Sequence, residues 1–265
     1  MNILNNIEPN ELIRKRLPAY AVNYHQPFIG NGTALFSILT RLQIQGAIYV
    51  SDPNYHLIKL FKDLQSHYED FIAAAELIHK EYSQCALGKT DNKFPNDINE
   101  AKVCTQSYYY WIKNTYNNMC KSGHDSILMS VFYMFLNNVG SKHPIVSKSK
   151  SVNTHSFYNK SELWALSLLI QPVIFSCQSF QNSCTYIEPG DFVYIELPED
   201  LQTNADFLRA CKKKLICNFL LYSPETSMLH RIFPLGLYNV ERVASDTSSH
   251  TLSVKYNLYI QSLII

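Results

Sequence analysis

Apolar positions along the chain fall into two rhythms. Leu35, Ile38, Leu39 and Leu42 recur at three- and four-residue spacing, which predicts a helix through "TALFSILTRLQ". Leu57, Ile58, Phe61 and Leu64 make a second helical stripe within residues 55–82. "SYYYWIKNTYNNMCK", "DSILMSVFYMFLNNVG" and "KSELWALSLLIQ" read as further helices, the second apolar nearly all round and so expected to be buried. A short helix is expected over residues 10–17, ending before Pro18. The other rhythm is that of strands. A short run from Ala47 to Val50 precedes Ser-Asp-Pro-Asn, and "VIFSCQSF" and "DFVYIEL" are compact apolar runs. "LRACKKKLICNFLLYS" reads as a helix tail and then a strand from Leu215 to Leu221, and "YNVERVAS" and "LSVKYNLYIQS" alternate like paired antiparallel strands. Residues 86–100 and 140–156 show no clear period and read as loops.

The two ends therefore look α/β and the middle helical. Near the N-terminus, the Pro- and Gly-bearing turn "PFIGNG", a helix, a strand and Asp52 follow in the order of a nucleotide-type βαβ unit. The expected division is a core of residues 1–60 and 165–265 interrupted by a helical insertion, 61–164.

Composition narrows the classes. With 265 residues, 46% hydrophobic and 17% charged, the chain can bury a full core, and disorder over most of its length is not expected. A formal net charge of +1 does not advertise a polyanionic partner, so nucleic-acid binding would need local patches. Two are visible: Lys142, Lys148, Lys150 and Lys160 in a stretch without acids, and the run Lys212, Lys213, Lys214. Either also reads as an ordinary solvated face. The seven Cys are scattered, odd in number and without a CxxC pair, which argues for reduced thiols rather than a zinc site or a disulfide framework. The first residues are too polar for a signal peptide and no run approaches a membrane span, so an intracellular protein, cytoplasmic or nucleoid-associated, is expected. Among nine His, His25, His143 and His155 are the best placed for chemistry, but no Ser or Cys sits in a nucleophile elbow. The tyrosines of "SYYYW" could stack on bases or pack the insertion.

Taken in order, several segments resemble the Dam-type adenine-specific DNA methyltransferases. "HQPFIGNGTALFSI" is similar to that family's cofactor loop, and "YVSDPNYHLIKLF" to the strand and D-x-N-x-x-L-I signature after it. "YYYWIKNTYNN" and "SVFYMFLNNVG" resemble two of its helices. "GDFVYIELPED" stands where the family has D-x-V-Y-x-D-P-P-Y, and "LICNFLLYSPET" and "YNVERV" with "VKYNLYI" resemble the closing strands. The resemblance implies an α/β, Rossmann-like S-adenosylmethionine-dependent methyltransferase fold with a mostly helical, DNA-recognising insertion. It also implies double-stranded DNA as substrate, with the target adenine turned out of the stack. On it, Pro27, Phe28, Gly30, Gly32 and Asp52 form the cofactor site. Phe28 would flank the cofactor's adenine, and the Asp52 carboxylate would accept from its ribose hydroxyls. Gln26 departs from the family, standing where an acid is usual.

The larger departure is Glu196, Leu197, Pro198 and Glu199 in place of the catalytic tetrapeptide. There the first Asp and a Pro carbonyl accept the hydrogens of the adenine amine, localising its lone pair, and a terminal aromatic stacks on the flipped base. Glu196 adds a methylene, which moves the acceptor by about 1 Å, a displacement that can cost ~100-fold. Leu197 removes a fixed φ. Glu199 cannot supply stacking worth about 1–3 kcal/mol. Lys142, Lys148 and Lys150 could hold phosphates without reading sequence. Two functional expectations remain at this point. One is a methyltransferase-like protein impaired in catalysis that binds DNA, cofactor or an unidentified protein. The other is an active adenine-N6 methyltransferase with a variant motif.

Overall fold

The computed structural model describes residues 11–86, 91–140, 156–197, 204–224, 227–234, 239–243 and 256–261. The chain divides into two compact units. A sheet unit comprises residues 9–30, 37–54 and 172–265, and a helical unit comprises residues 1–8, 31–36 and 55–171.

The sheet unit begins with α1 (Glu11–Arg14) and the short strands β1 (Tyr20–Ala21), β2 (Tyr24–Gln26), β3 (Gln43–Ile44) and β4 (Ile48–Asp52), with α2 (Thr33–Leu39) between β2 and β3. It continues with β5 (Val173–Cys177), α9 (Phe180–Ser183), β6 (Phe192–Glu196), α10 (Ala205–Lys214), β7 (Asn218–Pro224), α11 (Ser227–Ile232), β8 (Asn239–Val243) and β9 (Tyr256–Gln261); of α2, residues 33–36 count with the helical unit. Seven strands form one sheet in the order β5-β4-β2-β6-β7-β9-β8, while β1 and β3 pair separately. From β5 to β7 all neighbours are parallel; β9 runs antiparallel to both β7 and β8. This is the Rossmann-like methyltransferase class that the motif order implies, with a reversed hairpin closing one side of a parallel sheet.

Parallel strands are covered on both faces and so read as continuous apolar runs. In β6, Phe192 through Ile195 are all buried. Val193, Ile195 and Leu197 point to one face and pack with Phe219 and Leu221 of β7, Phe207, Leu208 and Cys211 of α10, and Leu229 and Ile232 of α11. The strand expected at Leu215–Leu221 instead runs Asn218–Pro224, because α10 continues to Lys214. Its last turn carries Lys212, Lys213 and Lys214, cations that complement the partial negative charge of a helix end. The strand expected to stop at Val50 runs on to Asp52, held in register by Cys177 of β5.

The helical unit holds α3 (Tyr55–Ser66), α4 (Tyr68–Ser83), α5 (Ile98–Ala101), α6 (Thr105–Lys121), α7 (Ile127–Gly140) and α8 (Lys160–Leu169). The single helix expected over 55–82 is broken at His67 into α3 and α4. Met129, Val131, Phe132, Met134, Phe135 and Val139 of α7 are buried, as its all-round apolar pattern demands. Asp63 of α3 accepts from Ser130 of α7 at 2.6 Å, and Lys59 bridges it to Asp125. Asn159 caps α8 through its side-chain oxygen.

Candidate functional site

In open α/β sheets, ligands sit beyond the carboxyl ends of the strands where the strand order reverses. Here the order reverses between β2 and β6. The carboxyl ends of β2, β4 and β6 are Gln26, Asp52 and Glu196. The pairings of Gln26 with Val50 and of His25 with Val193 place β2 between β4 and β6.

Beyond Gln26 the chain turns through residues 27–32. Gly30 and Gly32 have φ of +58° and +88°, values that a side chain strains to adopt. A Cβ placed on Gly30 would meet nothing within 4 Å, so the turn faces open space. Phe36 N–H donates to the Gly32 carbonyl at 3.0 Å, starting α2.

Gln26, buried to 1% exposure, organises the turn. Its Nε2 donates to the carbonyls of Phe28 (3.1 Å) and Ile29 (3.3 Å), and its Oε1 accepts from the Tyr24 hydroxyl at 2.7 Å. A carboxylate has no donor and could not make the first two bonds. The departure from an acid therefore has a structural job that the residue type alone did not disclose.

Asp52 completes the arrangement from the next strand. Its Oδ1 accepts from Asn54 N–H at 2.9 Å, and the N–H groups of Ile29 and Gly30 also bond to its carboxylate. Burial pushes its pKa above the ordinary value, and the three backbone donors pull partly back. Asp52, Ile29 and Gly30 are thus one hydrogen-bonded cluster. Phe28 turns away from the open side: it is 5% exposed, with Phe180 stacked at 5.9 Å and Phe207 tilted at 6.1 Å. Pro27 and Gly32 take their places in the turn itself.

On β6, Glu196 is exposed after four buried residues. Desolvation raises its pKa, and a hydrogen bond from the fully buried Tyr194 hydroxyl opposes the rise. Leu197 is buried, and its N–H donates to the Tyr222 carbonyl at 3.0 Å. Pro198, Glu199, Lys142, Lys148 and Lys150 lie outside the described residues, as do His143 and His155.

The amino edge of the same strands holds a second polar cluster. Asp191 Oδ1 accepts from Asn23 N–H (3.1 Å) and Asn23 Nδ2 (2.9 Å), while its Oδ2 takes His25 Nε2 (2.8 Å) and Glu188 N–H (3.0 Å). His25 stacks on Tyr49 at 5.1 Å, and its buried Nδ1 has no hydrogen-bond partner among the described residues. The histidine nearest the glycine turn in sequence is therefore a buried partner of Asp191. Asp191 and Tyr194 match the D and the Y of the D-x-V-Y pattern, but the pattern did not disclose the hydrogen bonds that they make.

No known protein-family profile matches the chain. Over 207 residues, 74% of its length, it is 25% identical to the Type II methyltransferase M.MjaIII of Methanocaldococcus jannaschii. The chain is methyltransferase-like. The match spans 64% of the M.MjaIII protein. Among the described residues of this methyltransferase-like chain, no helix is long and apolar enough to cross a membrane. Nor, among them, do three or more His, Cys, Asp or Glu side chains gather as a metal site.

Proposed function

We propose that the chain is a Dam-type adenine DNA methyltransferase-like protein that retains a cofactor cradle and is impaired in methyl transfer. The observation that carries this reading is the carboxyl end of β6, where Glu196 and the buried Leu197 stand in place of the family's Asp and Pro. Localising the adenine lone pair needs a charged acceptor held at a fixed point. Glu196 is one methylene longer than the Asp that the resemblance expects, and its carboxylate already accepts from the Tyr194 hydroxyl.

S-adenosylmethionine fits the other half of the site. The open space over Gly30 leaves room for a ligand close to the backbone, and Asp52, fixed by Asn54, Ile29 and Gly30, stands at the rim. When bound, the cofactor supplies an electrophilic methyl group. The glycine turn would admit it and Asp52 would orient its ribose, while Phe28 supports the turn from the core side. The likeness to a type II methyltransferase supports duplex DNA as partner, with residues 61–164 as the recognising insertion and Lys142, Lys148 and Lys150 on phosphates. A protein partner is the alternative for a chain without turnover.

The intact turn favours the competing reading, an active enzyme with a variant tetrapeptide, and one assay separates the two. Purified protein, labelled S-adenosylmethionine and an adenine-rich duplex should give no transfer above blank; clear transfer that disappears in Glu196→Ala overturns the impairment. Calorimetry with S-adenosylmethionine should give heat for the wild type and much less for Asp52→Ala, and equal heats remove Asp52 from the cofactor site.

A further inference from the structure

The helical unit carries a concave site of about 390 Å³ between the loop at residues 93–96 and the C-terminal half of α6. Its walls are unusually rich in amides: Asn96, Asn114, Asn117 and Asn118, with Lys121 at one end and Phe94 at the mouth. Phe94 is 78% exposed.

An exposed aromatic on a loose loop would mean little, but this loop is pinned. Asn92 N–H donates to the buried Ser107 hydroxyl at 2.8 Å, and Phe94 N–H donates to Asn92 Oδ1 at 2.9 Å. The Asn96 N–H and side chain both donate to Glu100, and Asn114 Nδ2 donates to the Lys93 carbonyl at 3.1 Å. These bonds fix Phe94 in the open, so holding it there costs little further ordering when a ligand arrives. They also occupy the local acids: Glu100 is taken by Asn92 and Asn96, and Asp97 by the first N–H groups of α5. Among the described residues, the side chains of Asn117, Asn118 and Lys121 take no hydrogen bond or ion pair.

A flat apolar face, carboxamides at Asn117 and Asn118 that both donate and accept, and a cation at Lys121 match one chemistry. We infer that this groove takes a single unpaired nucleotide of a DNA strand. The base stacks on Phe94 and presents its edge to Asn117 and Asn118, while Lys121 at the end of the groove meets the adjoining backbone phosphate. The site size lies at the lower end of ligand pockets and admits one such unit. This inference rests on DNA as the partner proposed above.

The test is fluorescence anisotropy with two labelled probes of equal paired length, a blunt duplex and a duplex with a three-nucleotide single-stranded overhang. The overhang should tighten wild-type binding about tenfold, as one stacked base can. Phe94→Ala, and Asn117→Ala with Asn118→Ala, should abolish that gain while leaving blunt-duplex binding unchanged. Phe94, Asn117 and Asn118 are all exposed, and circular dichroism of each variant checks that the fold survives. Equal wild-type affinity for both probes overturns the groove while DNA binding stands. A gain that persists in both variants also overturns it. Binding to neither probe removes both the groove and the DNA reading.

Discussion

Strand β6 ends in a carboxylate on both sides, and the two ends behave differently. At the amino end, Asp191 receives four hydrogen bonds, two on each oxygen, and is shut from solvent. At the carboxyl end, Glu196 receives one side-chain bond, from Tyr194, and is exposed. A buried anion surrounded by donors is structural, because removing it leaves those donors without partners. A lightly held acid at the switch point of the sheet has no such duty and is free to serve or to spoil chemistry. Position in the fold, rather than residue type, separates the two.

The sharpest way to break this contrast is Asp191→Ala. It should cost on the order of 3 kcal/mol or more, since four polar hydrogens lose their acceptor, and Tm should fall by roughly 10 °C. A Tm change of a degree or less would mean that the amino-edge cluster is not structural. A second, smaller effect concerns acid. Burial lowers the His25 pKa, outweighing the pull of Asp191 in the other direction. The folded chain therefore resists a proton that the unfolded chain accepts. Stability should be full above the ordinary histidine value of about 6.5 and should fall as pH drops below it, until the lower folded value is reached. His25→Gln, which keeps a donor for Asp191, should flatten that slope in melts taken between neutral and mildly acidic pH. The smallest effect is at the other end. The Glu196 pKa is raised, so its ionised form opposes folding once pH exceeds the ordinary carboxyl range. Glu196→Gln should raise Tm slightly at neutral pH and not at pH 4, whereas a loss at neutral pH would show that Glu196 carries a structural bond after all.

Much of the architecture was legible because it depends on periodicity. The stripe of α3, the all-round apolar α7, the run of β6 and the alternating β8 and β9 each declare themselves in a few residues. The placing of β9 between β7 and β8 was not legible, because strand order depends on long-range pairing that no local pattern encodes. Nor was the break at His67, where helical spacing continues across the interruption. At the site, the glycine turn and Asp52 were readable as residue types. Their mutual hydrogen bonds were not, and Gln26 read only as the loss of an acid, whereas its amide does work that an acid cannot. Tyr194 was readable as the Y of the D-x-V-Y pattern, but its hydrogen bond to Glu196 was not.

The reversed hairpin sets an order of events during synthesis. Strand β9 lies inside the sheet, yet it leaves the ribosome after both of its neighbours. Until it arrives, β7 presents an unsatisfied ladder and β8 has nothing to pair with, so the nascent chain passes through an interval with an adhesive rim. Any lesion that slows or shortens the tail should therefore be felt first as clumping of newly made protein, before any question of ligand binding arises.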